Sequence, residues 1–304
     1  MQPILFQLPL PGGLTLDFPA YGTFMVLGML LANLAGAPRA KTIGLRPAQV
    51  FDFGLLLVAG GVVGAHLLHV LVNLEDTFRD GLAAGLGRAL APWTGGLIYY
   101  GGLAGGIAVC LLYARWKRLQ PLALLDFVAP LGALGLATTR IGCHLNGCCW
   151  GRPTDAFWGL VYPPGSPAQH SQLTLGLVAA ESSALPVHPV QLYETAAALA
   201  IFVVLYRAYP RRRHGGQITA WFGILYACWR LVAETLRADA AGWLPGRPWW
   251  QPNLAQVLSL AVLAISLAAL RWAARTAPAP TGGLRAAPAA AASRRPEPPP
   301  GPAP

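Results

Sequence analysis

Seven apolar stretches, each close to twenty residues long, constrain this chain more than any other feature of its sequence. They run over Ala20–Ala37, Phe51–Val72, Leu97–Ala114, Leu122–Cys143, Pro189–Tyr206, Gln217–Arg237 and Asn253–Trp272. An apolar helix of about 20 residues is long enough to cross the hydrocarbon core of a bilayer. The sequence therefore predicts an all-α, polytopic membrane helix bundle with about seven transmembrane helices.

Composition and charge agree with a membrane protein and exclude other classes. Hydrophobic residues make up 55% of the chain and charged residues 11%, whereas a soluble domain carries roughly 25% charged residues. Disorder requires low hydrophobicity and is excluded. The net charge of +10 does not indicate a nucleic-acid partner, because most of the 22 Lys and Arg residues lie in the C-terminal segment and the loops after the first, third and fifth stretches. By the positive-inside rule, the N-terminus lies outside and the C-terminus in the cytoplasm.

Three segments organise the chain. We expect residues 1–275 to form the seven-span domain. Within it, residues 144–188 form an extracytoplasmic segment that is too long for a plain connector, and its aromatic residues favour an ordered cap. Residues 276–304 are rich in Ala and Pro and are expected to form a disordered cytoplasmic tail.

Ionisable side chains inside the predicted spans gather at one depth, near the outer side of the membrane. Such residues are costly in a bilayer and are functional candidates by default. Tyr226, Arg230 and Glu234 are spaced four apart and share one helix face, as do Gln191 and Glu194. The other members at this depth are His66, His69, Arg140, Tyr21, Tyr99 and Tyr100.

Two interpretations of these charges stay open. Arg140 and Arg230 could pair with Glu194 and Glu234 only to tie the helices together. Alternatively, the two arginines clamp a phosphate, because a guanidinium is the preferred bidentate partner of phosphate and phospholipid headgroups are the abundant anions at this depth. The second interpretation predicts a headgroup site in the outer leaflet.

Acidic residues and glycines elsewhere in the spans have structural interpretations. Asp52 and Asp126 begin their predicted helices, where a carboxylate complements the dipole at the helix N-terminus. Gly101–Gly102 and Gly105–Gly106 favour close helix packing, with a backbone surface open to lipid as the alternative.

Three of the five cysteines cluster at the outer end of the fourth stretch, at Cys143, Cys148 and Cys149. A structural disulfide from Cys143 to Cys148 or Cys149, or plain packing, is the favoured interpretation. Zinc ligation with His144 is a second interpretation, although the spacing is not that of a zinc finger. A reactive thiol with a pKa lowered by a nearby arginine is a third.

Several motifs together resemble the prolipoprotein diacylglyceryl transferase family over nearly all seven spans. The segments Tyr226–Glu234 and His188–Glu194 match its Tyr-x-x-x-Arg-x-x-x-Glu and His-Pro-x-Gln-Leu-Tyr-Glu motifs, and Pro19–Gly22 resembles its first-span tyrosine region. The family signature is only partly kept. Arg140, Gly142, Leu145, Asn146 and Gly151 agree with it, whereas Thr139, Cys143, His144 and Cys148 do not. Tyr100 replaces a usual His, and His66 replaces a usual Arg, which indicates a divergent member or a paralogue.

The resemblance implies transfer of a diacylglyceryl group from phosphatidylglycerol to the lipobox cysteine of a prolipoprotein, the first step of lipoprotein maturation. It implies a multi-pass protein of the bacterial inner membrane whose partners are phosphatidylglycerol, prolipoprotein signal peptides and membrane lipids. No metal, organic cofactor or nucleic acid is expected. The alternatives are a lipid-binding or transport protein, or a paralogous transferase with another acceptor.

The resemblance also implies roles for individual residues. Arg140 and Arg230 would stabilise the leaving phosphate. Tyr100 stands at the position of the usual base but is neutral near pH 7. His66, His188 or His144 could replace it, or the field of the arginines could lower the pKa of the substrate thiol without a base. The expected substrate-binding residues are Tyr21, Asn146, Gly151, Gln191, Glu194, Tyr226 and Glu234.

Overall fold

A short β-hairpin and ten α-helices make up the regular structure in the computed structural model, which describes residues 2–9, 11, 15–92, 96–179, 181–238 and 252–276. The elements are β1 (Ile4–Pro9), β2 (Thr15–Pro19), α1 (Ala20–Gly36), α2 (Pro47–Val72), α3 (Leu74–Phe78), α4 (Leu82–Ala89), α5 (Tyr99–Lys117), α6 (Pro121–Asn146), α7 (Pro167–Thr174), α8 (Val190–Ala208), α9 (Gln217–Leu236) and α10 (Leu254–Thr276). Short 3-10 helices follow α1 at Ala37–Ile43 and α8 at Tyr209–Arg211. The predicted disordered tail lies, from residue 277 onward, outside the described residues.

Five of the described helices are long and apolar enough to cross a membrane, namely Ala20–Ile43, Pro47–Val72, Pro121–Asn146, Val190–Arg211 and Leu254–Arg275. The other two predicted spans form α5 and α9. They are less apolar, since α9 carries Arg230 and Glu234 and α5 ends with Arg115 and Lys117. The all-α, multi-pass membrane fold is confirmed, while the number of seven spans and their orientation stay predictions.

Helix α6 lies at the centre of the bundle and packs against α1, α8 and α9. It starts at Pro121, in the first turn where proline is tolerated. It ends before Gly147, whose φ of 75° closes the helix with hydrogen bonds to the carbonyls of Cys143 and His144. This left-handed turn folds the following residues back over the end of α6.

Helices α2 and α5 form the most extensive helix pair. A Cβ atom on Gly64 or Gly101 would overlap the backbone of the other helix. A Cβ atom on Gly105 would likewise overlap the carbonyl oxygen of Gly60. Close packing is therefore confirmed for Gly101 and Gly105. Gly106, by contrast, faces open space.

The predicted role of Asp126 at the start of its own helix is wrong. Its buried carboxylate accepts hydrogen bonds from the backbone N–H groups of Gly216 and Thr219, each at 2.9 Å, and from the Thr219 hydroxyl at 3.0 Å. These donors belong to the first turn of α9, so Asp126 caps a different helix from the one that carries it.

The N-terminal hairpin was not predicted from the sequence. β1 and β2 pair antiparallel, with Phe6 and Phe18 stacked at 4.3 Å between ring centroids. A backbone hydrogen bond from Gln2 N to Leu145 O at 3.0 Å holds it against the C-terminal end of α6, and one from Ala20 N to Pro3 O at 2.8 Å joins it to the start of α1.

Candidate active site

A cluster of three arginines and two glutamates joins helices α6, α8 and α9; we call Arg140, Glu194, Arg230, Glu234 and Arg237 the Arg–Glu cluster. The Glu194 carboxylate lies at its centre. Its Oε2 atom is 2.8 Å from Arg140 Nε, and its Oε1 atom is 3.0 Å from Arg230 Nη1. The predicted meeting of the two arginines from separate helices is therefore present, and one carboxylate holds both.

The second half of the cluster lies on and just after α9. Arg230 pairs with Glu234 one turn later, and Arg237 lies 3.8 Å from both Glu194 and Glu234. Asn253 Nδ2 donates a hydrogen bond of 2.6 Å to the other Glu234 oxygen. The spacing of three residues from Glu234 to Arg237 could have predicted that Arg237 joins the cluster, because such residues are neighbours on a helix.

Burial separates the two signs of charge in the Arg–Glu cluster. The Glu194 and Glu234 side chains are 3% and 0% exposed, whereas those of Arg140 and Arg230 are 14% and 18% exposed. Within the cluster as defined, three guanidinium groups face two carboxylates. The cluster therefore presents positive charge at its accessible side, as an anion-binding site requires.

Three thiols lie next to Arg140. The sulfur atoms of Cys143, Cys148 and Cys149, which we call the thiol triad, all lie within 4.8 Å of one another. All five cysteines are free thiols, so the favoured disulfide is not formed in this structure. Arg140 Nη1 donates a hydrogen bond of 3.4 Å to Cys149 Sγ. This contact links the triad to the Arg–Glu cluster.

The end of α6 sets the position of the triad. Cys143 lies in the last turn of the helix, and Cys148 and Cys149 follow the Gly147 turn. Cys149 has a φ of 63°, a left-handed conformation that is uncommon for a residue other than glycine. Hydrogen bonds from the other two thiols, and from the Asn146 side chain, lower the pKa of Cys148. Asn146, a predicted substrate residue, thus contacts a cysteine of the triad.

The cap segment, residues 144–188, is ordered where it is described and is anchored to the starts and ends of the helices around the site. Gly151 N bonds to His188 O at 3.2 Å, and a Cβ at Gly151 would overlap His188. Gln191, which is fully buried, donates to Cys148 O at 2.7 Å and to the Tyr162 hydroxyl at 3.0 Å. Gly151 and Gln191 therefore position the cap on α8.

Burial raises the pKa of Tyr162. The hydroxyl therefore stays protonated and remains a neutral partner of Gln191.

His188 lies two residues before α8, at the edge of the cap. Its Nδ1 atom is 3.4 Å from the Tyr193 hydroxyl, which also accepts a hydrogen bond of 2.6 Å from Trp158 Nε1. Among the predicted base candidates, His188 is the one that lies just before the start of α8, six residues before Glu194 in the sequence.

The remaining predicted residues form two groups, one near Arg140 and the other on α2 and α5. Tyr21, at the start of α1, and Tyr226, on α9, lie close enough to Arg140 to interact with it electrostatically. His66 instead places its two ring nitrogens 3.3 and 3.2 Å from the carbonyl oxygens of Gly96 and Arg88. Tyr100 lies in the first turn of α5, the helix that packs chiefly against α2.

An apolar cavity of about 210 Å³ lies between α1, α2 and α6. It runs along α6 from Phe127 to Thr139, which corresponds to about 18 Å of helix. Thr139, at one end of the cavity, immediately precedes Arg140 on α6. Gly132 and Gly135 line it and have open space where a side chain would be. This cavity was not predicted from the sequence.

Fold and site together define a class of protein. The chain is a multi-pass, all-α membrane protein with a partly exposed pair of arginines held over buried carboxylates and an apolar cavity between α1, α2 and α6.

Comparison with known proteins identifies the family. The family described as prolipoprotein diacylglyceryl transferase matches residues 3–272, and the chain belongs to this family. The chain is 34% identical to a relative from Nitrosomonas europaea over 259 residues, which cover 84% of this chain and 85% of the relative. It is 33% identical to a relative from Nitrosospira multiformis over 283 residues, which cover 91% and 88%.

A more distant relative, from Clostridium tetani, is 29% identical over 244 residues, which cover 80% of this chain and 88% of the relative. All three relatives are named phosphatidylglycerol–prolipoprotein diacylglyceryl transferase. The predicted resemblance is confirmed, and the chain is a transferase of lipoprotein biosynthesis.

Proposed function

We propose that this protein transfers the diacylglyceryl group of phosphatidylglycerol to the thiol of a prolipoprotein lipobox cysteine, in the bacterial inner membrane. The observation that carries the proposal is the pair of arginines from α6 and α9 on one buried carboxylate, with both guanidinium groups more exposed than the carboxylate that holds them. A phosphodiester headgroup carries one negative charge, which these guanidinium groups can bind. Residues 1–275 would act as one membrane domain, with residues 144–188 as its extracytoplasmic cap.

Arg140 and Arg230 stabilise the charge that develops in the reaction. The substrate thiol loses its proton, its sulfur forms a bond to the terminal glyceryl carbon, and the bond from that carbon to the phosphate oxygen breaks. Glycerol phosphate leaves with the electron pair of that bond. Guanidinium groups fixed in advance lower the energy of this step because no reorganisation is needed as the charge appears. Glu194 and Glu234 hold them in place.

His188 is the base candidate that fits best. When its Nδ1–H donates to the Tyr193 oxygen, Nε2 carries the lone pair that can accept a proton from the substrate thiol. His66 fits less well, since both of its ring nitrogens face carbonyl oxygens. Tyr21, Tyr226, Asn146, Gly151 and Gln191 support the site through their contacts with the cap, the triad or Arg140.

The apolar cavity between α1, α2 and α6 supports a diacyl substrate. Its lining is almost entirely apolar, and Thr139, at one end, is the residue before Arg140 on α6. An acyl chain in this cavity would extend along α6 towards the level of Arg140. The chain leaves the bilayer hydrocarbon rather than water, so its binding depends on van der Waals contacts with the lining.

The test is a reaction of the purified protein with phosphatidylglycerol vesicles and a peptide that contains a lipobox. We expect a thioether-linked diacylglyceryl group on the peptide and an equal amount of glycerol phosphate. A peptide with serine in place of the lipobox cysteine is the control and should remain unmodified. Release of glycerol phosphate without peptide modification would indicate another acceptor, and vesicle binding without either product would indicate a lipid-binding protein.

A further inference from the structure

The thiol triad is the strongest cluster of metal-ligating side chains in the described part of the chain that the proposed reaction does not use. Its members come from two sides of one turn, because Cys143 belongs to α6 and Cys148 and Cys149 follow Gly147. Their sulfur atoms converge to within 4.8 Å. The reaction itself needs only a thiol from the substrate, so this convergence requires a separate explanation.

The separation of the sulfurs fits ligands that share one ion. With Zn–S bonds of about 2.3 Å, sulfurs in tetrahedral or trigonal coordination stand about 3.8 to 4.0 Å apart. The triad therefore needs a contraction of about 1 Å or less to close on an ion. A disulfide would require two sulfurs about 2.05 Å apart and would leave the third without a partner.

We infer that the thiol triad binds a single thiophilic d10 metal ion, Zn²⁺ or Cu⁺, through Cys143, Cys148 and Cys149. Both ions prefer thiolate ligands. Binding releases the thiol protons to the buffer. For zinc, a water molecule completes the fourth position.

The surroundings of the triad suit a metal–thiolate unit. Zinc with three thiolates carries one net negative charge, and Arg140 Nη1 already donates a hydrogen bond to Cys149 Sγ at 3.4 Å. The Asn146 side chain bonds to the sulfur of Cys148. Donors of this kind orient ligands and stabilise the charge on thiolates. The loaded triad thus has a counter-charge and a polar donor in place.

The experiment measures metal content directly. Purified, reduced protein is dialysed against Zn²⁺ in one arm and held with Cu⁺ under anaerobic conditions in the other, and bound metal is determined by mass spectrometry. We expect one bound ion per chain in the zinc arm, in the copper arm or in both. Retention in a single arm identifies the ion, and retention in both shows that the site accepts either. Cys148→Ser, Cys149→Ser and the double variant should lose it.

Two controls make the result specific. Replacement of the other two cysteines, in Cys110→Ala/Cys228→Ala, removes thiols outside the triad and should leave the metal content unchanged. Alkylation provides a measurement that does not depend on variants, since bound metal should protect three thiols of the wild-type protein from a maleimide.

The inference is wrong if wild-type protein retains no ion in either arm, if the triad variants retain it, or if two triad cysteines form a disulfide in protein purified without a reductant. Metal binding is measured without lipid or peptide. Its outcome is therefore independent of the transferase assay.

Discussion

Glu194 holds two guanidinium groups at once, and its side chain is 3% exposed. Removing one partner of a buried ion pair costs about 3–5 kcal/mol, because the remaining charge is left without compensation. Here the loss of Glu194 would leave Arg140 without its carboxylate and Arg230 with Glu234 alone. The carboxylate is therefore a positioning group for both arginines.

Replacement of either arginine by lysine tests the phosphate site. In Arg140→Lys and Arg230→Lys, we expect kcat/KM for phosphatidylglycerol to fall by about 10²-fold, the effect typical of losing one fixed charge-stabilising donor. A lysine retains the charge but cannot contact Glu194 and a phosphate with a planar fork.

The matched control for these variants is Arg79→Lys, at a side chain that is 74% exposed and outside the cluster. It should keep the wild-type kcat/KM. Full activity of Arg140→Lys or Arg230→Lys would show that these arginines serve only to join the helices.

At this scale, the site residues could be predicted from the sequence where a helix fixes their spacing. Arg230 and Glu234 had to share a face, and the cost of charges in a membrane indicated that Arg140 and Glu194 would join them. The contacts of His66 with the Gly96 and Arg88 carbonyls could not be predicted, because they depend on how the segment after α2 folds back.

Asp126 shows how one helix can complete another. Its carboxylate satisfies donors in the first turn of α9, and this is the helix that carries Arg230, Glu234 and, just past its end, Arg237. This capping by Asp126 therefore fixes the N-terminal end of α9, at the opposite end of the helix from the Arg–Glu cluster. The sequence placed Asp126 near a helix N-terminus but gave no means of deciding which helix.

Asp126→Asn tests the role of Asp126 as a helix cap. The amide has one oxygen where the carboxylate uses two, so we expect a loss of about 1–3 kcal/mol in the free energy of unfolding. Thermal unfolding in detergent should show a lower midpoint. Asp52→Asn, at an exposed residue of α2, is the control and should unfold at the wild-type temperature. An unchanged midpoint of thermal unfolding in Asp126→Asn would contradict the capping of α9 by Asp126.

The hairpin before α1 was missed for a physical reason. Its pairing is stabilised by contacts that are distant in sequence, such as Gln2 with Leu145, and its strands carry no clear alternation of apolar and polar residues. The helices, by contrast, were predictable because a membrane requires internally bonded, apolar segments of nearly fixed length.

The orientation of the whole molecule leads to a labelling prediction. We expect a membrane-impermeant maleimide to label Phe157→Cys in intact cells above the background of the parent protein, because Phe157 is 94% exposed in the predicted external cap. Arg118→Cys and Arg211→Cys lie on the predicted cytoplasmic side and should react only after lysis. The reverse pattern would overturn the orientation predicted from the positive charges.

Filling the cavity between α1, α2 and α6 tests its role in lipid binding. In Gly135→Leu, the new side chain enters open space in the cavity, and we expect the KM for phosphatidylglycerol to rise about tenfold, which corresponds to about 1.4 kcal/mol of lost binding.

Gly106→Leu is the control, because it also adds a side chain in open space but lies on α5, away from this cavity. Its KM should match the wild type. Equal KM values in both variants would show that the cavity does not hold the lipid.

The positive charge at the accessible side of the Arg–Glu cluster also affects turnover. A phosphodiester carries one negative charge, but the glycerol phosphate released by the proposed reaction is a monoester with about −1.5 to −2 charges near neutral pH. The same arginines then hold the product more tightly than the lipid that entered. Departure of the product into water, rather than bond breaking, is thus the step expected to limit the rate.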